Sequence, residues 1–189
     1  MRRSLGNTEH HPGAAMTLDE LAAQEAEIQR TLAGPGLAEE LRSRAQRADV
    51  PRHWVEVHRG YAALLEDEHS LVSLEALKRA VFLVWFKWAE PNFLTGMWAE
   101  WDGGALERTW MALVARLESG NTDPELHWMM AYYNGVCPLP FEQPPAPPSL
   151  AELIRRFDPG AWARARWAPG QFENRGRLGS YWASVRRVA

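Results

Sequence analysis

The sequence predicts an all-α fold: a single compact multi-helix bundle of about seven or eight helices, with a proline-rich strap and a C-terminal helical extension. Three observations predict it. Large apolar residues recur at helical spacing along most of the chain, and nothing alternates at period two for long enough to make a strand. Ser, Thr, Asp, Pro and Gly fall where helices start and stop. Residues 80–88 are apolar nearly all round, which places that stretch at the centre of the bundle.

The elements follow in chain order. Residues 1–15 carry almost no large apolar side chains, so the segment to residue 16 is expected to be disordered, with Met1 and Met16 as alternative starts. Thr17 and Glu20 make a capping box for a helix from Leu18 to about Ala33, with Leu18, Leu21, Ile28 and Leu32 on one face. Gly34-Pro35-Gly36 stops it, and a weaker helix is expected over 37–48. Pro51 suits the first turn of the next helix, where Trp54, Val57, His58, Tyr61, Leu64 and Leu65 keep the helical period. Ser73 is the expected N-cap of the central helix, 74–89. Pro91 ends or restarts that helix, and 91–101 are expected to form a short helix with Trp98 and Trp101 on one face. Asp102-Gly103-Gly104 separates it from a helix over 105–118, and Asp123-Pro124 starts another that bears Leu126, Met129, Met130 and Tyr133.

Beyond residue 137 the composition shifts. Six prolines fall within 138–148, which reads as an extended, semi-rigid linker. Ser149 and Glu152 make a second capping box for a helix to Phe157, and Asp158-Pro159 starts another to about Trp167. Residues 170–176 read as a loop, and Leu178, Tyr181, Trp182 and Val185 as a last amphipathic helix. The expected organisation is a helical core over 17–137, the linker, and a basic extension over 149–189 that packs on the core.

Composition bounds the function. A chain of 189 residues with 46% hydrophobic content fits one domain. The single cysteine, Cys137, excludes an intrachain disulfide and a cysteine zinc cluster, and suits a reducing compartment. No apolar run follows Arg2-Arg3, and the longest one, 80–86, is too short to span a bilayer. A cytoplasmic location with no membrane contact is the expectation. The basic residues are 19 Arg against two Lys, a bias expected of a GC-rich bacterial genome. The net charge of −3 hides an asymmetry: residues 150–189 carry +5 and the rest −8.

There are ten tryptophans, six of them between 85 and 128. They describe a packing problem and name no reaction, and no catalytic, metal or nucleotide motif surrounds them. The seam Glu90-Pro91-Asn92 puts a carboxylate after a buried helix, where a raised pKa would suit acid–base work and a helix cap or an ion pair is the plainer role. His127 and Asn134, seven apart, share a helix face and could line a pocket with Glu90 and Asn92. Glu66-x-x-His69 is half of a di-iron motif, but no second copy exists. The acidic triplet Glu66-Asp67-Glu68 suits docking of a basic surface, or simply a solvated loop. The arginines and rings of the tail have the ingredients of a nucleic-acid site, but the acidic body repels phosphate.

The leading expectation is a non-enzymatic protein-binding role, of an adaptor or immunity-inhibitor kind, with no cofactor and no metal. Its surface is placed at the 98–102 turn, with Trp98 and Trp101, together with Glu66, Asp67 and Glu68. The alternative is a small-ligand binder or enzyme using the Glu90, Asn92, His127 and Asn134 pocket. The second alternative is nucleic-acid binding through the tail.

Overall fold

The computed structural model describes residues 16–33, 40–67, 69–168 and 170–186, the side chains of 40–47 and 186 excepted. The disorder expected of 1–15, the stop at 34–36, the start of the weak helix at 37 and the placing of Glu68 lie outside these residues. Among them the regular structure is all-α: nine α-helices, seven of them eight residues or longer, one 3-10 turn and no strand.

Helix α1 (Leu18–Ala33) begins at the expected capping box. The Glu20 amide donates to Thr17 Oγ1 at 3.2 Å and the Thr17 amide to Glu20 Oε2 at 2.7 Å. Helix α2 (Glu40–Ala63) is one helix, not the two expected around residue 50. Pro51 lies inside it and removes one amide donor, a cost that propensity alone would not carry. Burial of Val50, Trp54, Val57 and Tyr61 on one face offsets it.

Helix α3 (Leu71–Ala89) is the centre of the bundle, and every residue from 76 to 86 is buried. Its cap is Ser70, not Ser73: Ser70 Oγ accepts from the Val72 amide at 3.1 Å. The apolar pattern pointed to a start at 74 because Leu71 and Val72, although helical, face solvent. Ser73 is buried and accepts from Arg116 Nη2 at 3.3 Å.

Helix α4 (Asn92–Thr95) is a single turn, ended by Gly96 in the left-handed region at φ 70°. A Cβ at Gly96 would collide with Val50, so the position demands glycine twice over. Trp98 and Trp101 therefore lie beyond the helix and not on its face. Helix α5 (Gly103–Ser119) starts at Asp102, whose Oδ1 accepts from the Ala105 amide at 2.8 Å. Asp102-Gly103-Gly104 is thus the opening of α5 and not a spacer. Helix α6 (Pro124–Val136) has the expected start, with Asp123 Oδ1 accepting from the Leu126 amide at 2.8 Å and proline in the first turn.

Residues 138–148 are not an extended linker. They contain α7 (Leu139–Glu142), whose Phe141 is buried edge-on against Trp110 at 5.6 Å. Helix α8 (Pro148–Arg155) begins after Pro147 and has no side-chain cap, so Ser149 and Glu152 form no capping box. The fixed φ of Pro148 starts the helix two residues earlier than capping by Ser149 would. After it comes a 3-10 turn, Ala161–Arg164, where a helix to 167 was expected. Asp158 accepts from the Gly160 amide at 2.9 Å and from Arg164 at 2.6 Å, and this local turn competes with a longer helix.

Helix α9 (Gly176–Arg186) returns the chain to the body, packing on α1 and α3. Leu178 and Trp182 are buried. The Trp182 ring meets Trp128 edge-on at 4.2 Å, and the Tyr181 and Tyr132 hydroxyls are 2.8 Å apart. Trp85 stacks on Tyr133 at 4.4 Å and donates to the Cys137 carbonyl at 3.1 Å. Of the tryptophans clustered in sequence, Trp85, Trp110 and Trp128 are buried and build an aromatic core that the C-terminal segment completes.

Candidate functional site

The corner where α3 meets α4 exposes what a helical bundle normally hides. Trp88, Phe93, Leu94 and Trp98 are 50%, 71%, 61% and 59% exposed. The backbone beneath them is held. Trp54 Nε1 donates to the Thr95 carbonyl at 2.9 Å, and Lys87 Nζ to the Ala99 carbonyl at 2.9 Å. Lys87 also lies 5.6 Å from the centre of the Trp101 ring.

Beside the corner is a cleft of about 460 Å³, walled by Trp88, Glu90, Asn92, Trp101, Pro140 and Pro144. Trp101 packs at 4.8 Å on His58, which is fully buried. Thr109 Oγ1 donates to the Ala105 carbonyl at 2.9 Å, so at 3.3 Å it accepts from His58 Nε2. That leaves His58 Nδ1 unprotonated, and it has no partner among the described residues. Burial holds the imidazole pKa down to about 3, with the arginine Arg108 adding to the effect and Asp102 opposing it. His58 is a neutral packing residue beneath the cleft. Three residues that line the cleft also carry buried atoms without a partner among the described residues: the donors Trp101 Nε1 and Trp110 Nε1 and the acceptor Asn92 Oδ1.

The residues singled out in the sequence are only partly brought together. Trp98 is in the corner, and Trp101, Glu90 and Asn92 line the cleft. His127 and Asn134 do not line it. His127 Nε2 is 2.6 Å from Thr122 Oγ1, its ring meets Phe157 edge-on at 5.5 Å, and Asn134 donates to the Phe157 carbonyl at 3.1 Å. The segment after α8 packs along this face of α6, leaving Asn134 partly buried and His127 exposed. Glu66 lies in a separate shallow cleft of about 350 Å³ with Arg108 and Met111, and Asp67 Oδ1 accepts from the His69 amide at 3.0 Å in a turn. Helix α4 packs near Trp54, about 14 Å along the α2 axis from Ala63. Trp101 and Glu66 thus line separate clefts.

Phe93 and Leu94 were missed in the sequence. Their signal was an apolar pair after Pro91 in a segment too short to hide them. A buried ionic ladder was missed as well. Arg79 Nε donates to Glu75 at 2.7 Å, and Arg175 grips both oxygens of Glu75 and reaches Glu125 at 2.6 Å. Lys78 Nζ donates to Glu125 at 2.8 Å and to Asp123 at 2.5 Å. The alternating charges join α3, α6 and the C-terminal segment. Burial opposes the charges, yet the Arg175 and Arg79 partners hold the Glu75 pKa below its ordinary value. Elsewhere in the tail, Arg155 pairs with Glu142 at 3.3 Å and Arg164 with Asp158 at 2.6 Å.

The chain matches no protein-family model, no curated protein and no solved structure. Among the described residues no helix is long and apolar enough to cross a membrane, and no three His, Cys, Asp or Glu side chains gather where they could hold a metal ion.

Proposed function

We propose that the protein is a non-enzymatic protein-binding module of the bacterial cytoplasm, of an adaptor or inhibitor kind. The observation that carries this reading is the corner of Trp88, Phe93, Leu94 and Trp98, four large apolar side chains exposed on a braced backbone. Exposed aromatics on a rigid frame lose little entropy on docking, and tryptophan is among the residues that dominate binding energy. Glu90 and Glu100 border the cleft beside the corner. The partner is therefore a protein segment that offers apolar side chains to the corner and a Lys or Arg to these carboxylates. Self-pairing of Arg155, Arg164 and Arg175 counts against nucleic acid as the partner.

The test compares what native protein and a Trp88→Ser, Phe93→Ser, Trp98→Ser variant capture from host extract, with Met111→Ser as the control. A species held by native and control proteins but lost by the triple variant, then bound one-to-one when purified, supports the reading. Identical capture by all three sinks it.

A second reading, a small-ligand site, is favoured by Trp101 Nε1 and Asn92 Oδ1, a donor and an acceptor in one cleft wall, both unpartnered among the described residues. An amide supplies both complements. Titration with N-methylacetamide, followed at the Trp101 indole N–H by NMR, should give a saturable shift; a linear drift argues against it.

A further inference from the structure

We propose that Glu25 is a pH-responsive latch on the C-terminal segment: protonated, it seals α9 onto α1, and ionised, it loosens the first turn of α9 and widens the groove beside it. Glu25 lies on α1 and is 1% exposed. Its Oε2 accepts from the Arg177 backbone amide, so a carboxyl from one helix caps the N-terminus of another. Gly176, at φ 58°, lies against the carboxyl, and a Cβ there would collide with it.

The charged and titratable groups around Glu25 do not neutralise it. From α2 comes Tyr61, whose hydroxyl is buried without a partner among the described residues; burial first, and Glu25 second, push its pKa up. From α3 comes Arg79, already bonded to Glu75 at 2.7 Å and to the Leu18 carbonyl at 3.1 Å. From α9 comes Arg177, whose guanidinium lies 4.9 Å from the centre of the Phe86 ring. No described Arg or Lys makes an ion pair with Glu25, in contrast to Glu75 and Glu125.

Burial consequently raises the Glu25 pKa from 4.5 to about 7, against the opposing pull of the Arg177 amide and the weaker influences of Tyr61, Arg79 and Arg177. The sign follows. A released α9 would let Glu25 ionise near 4.5, so docking is strongest below that pH and weakens as the pH rises to about 7. Arg175 in the ladder has its pKa raised and stays charged throughout, and Trp182 stays buried. The loosening is thus local. It falls on Gly176 and Gly179, which with Ala22, Ala26 and Ser180 line a groove of about 950 Å³ between α1 and the tail.

The experiment is amide hydrogen exchange over residues 176–186 in the full chain, wild type against Glu25→Gln, at pH 6 and pH 8. The variant cancels the intrinsic pH dependence of exchange. The expected result is opening in the wild type that rises about tenfold relative to Glu25→Gln between these pH values. An unchanged ratio overturns the latch. Should the variant not fold, the carbon-13 shift of the Glu25 carboxyl in wild-type protein decides: a midpoint near 7 supports the proposal, and a midpoint near 4.5 overturns it.

Discussion

Arg175 holds Glu75 with two parallel hydrogen bonds, Nε to Oε1 at 2.8 Å and Nη2 to Oε2 at 2.6 Å, across 100 residues of chain. The same guanidinium reaches Glu125 at 2.6 Å. It joins the tail to α3 and α6 in one stroke, and its planar fork is the reason an arginine, and not a lysine, suits the position.

Replacing Arg175 with Ala leaves Glu75 short of one cation and Glu125 sharing a lysine with Asp123. Removing one partner of a mostly buried ion pair is expensive, and a loss of about 3 kcal/mol is expected. Arg164→Ala breaks an equally short but exposed pair and should cost under about 1 kcal/mol. Urea denaturation of the two variants checks the contrast. Equal midpoints would show that the ladder contributes no more than a surface pair.

Trp85→Ala removes the ring that stacks on Tyr133 and bonds the Cys137 carbonyl. The expected loss is about 3–5 kcal/mol, the range for a large aromatic in a close-packed core. An unchanged denaturation midpoint would contradict the central place of α3.

The fold was legible because its signals are local. Asp123-Pro124 and Thr17-x-x-Glu20 cap the helices they were expected to cap, and the apolar run at 80–86 is the buried centre. Pro51 misled because burial along α2 outweighs the lost amide. The 138–148 segment misled because proline content describes an isolated chain, while Phe141 finds a place in the core. The site was legible only in part. Trp98, Trp101, Glu90 and Asn92 fall within one corner close in sequence, whereas His127 and Glu66 were joined to it by residue type across distances that only tertiary structure fixes. Glu25 and Arg175 carried no signal of their own, since a buried charge on a mostly polar helix, or in the loop before one, looks like any solvated one.

His58 makes stability depend on pH in the opposite sense to Glu25. Burial lowers its pKa from 6.5 to about 3, so between those values the unfolded chain binds a proton that the folded chain does not. Its contribution is complete above pH 6.5 and fades as the pH falls towards 3. His58→Met should therefore lose less stability than the wild type between pH 6.5 and pH 4.5, measured by urea midpoints. Parallel losses would mean that the imidazole is protonated in the folded state.

Phe93 and Trp98 separate folding from binding. Both side chains stand mostly in solvent, and their backbone is braced by Trp54 and Lys87 and not by their own rings. Phe93→Ser and Trp98→Ser should leave stability within about 0.5 kcal/mol of wild type, as for surface positions in general. Each should weaken the partner complex by about 2 kcal/mol if these rings are its anchors. Trp182→Ser should do the reverse, lowering stability because its ring lies among Trp128, Tyr132 and Trp167 while leaving the corner intact. Thermal unfolding paired with calorimetric binding reads both quantities on the same samples. If Trp98→Ser lost several kcal/mol of stability, the corner would be part of the core, and an exposed docking surface would have no basis there.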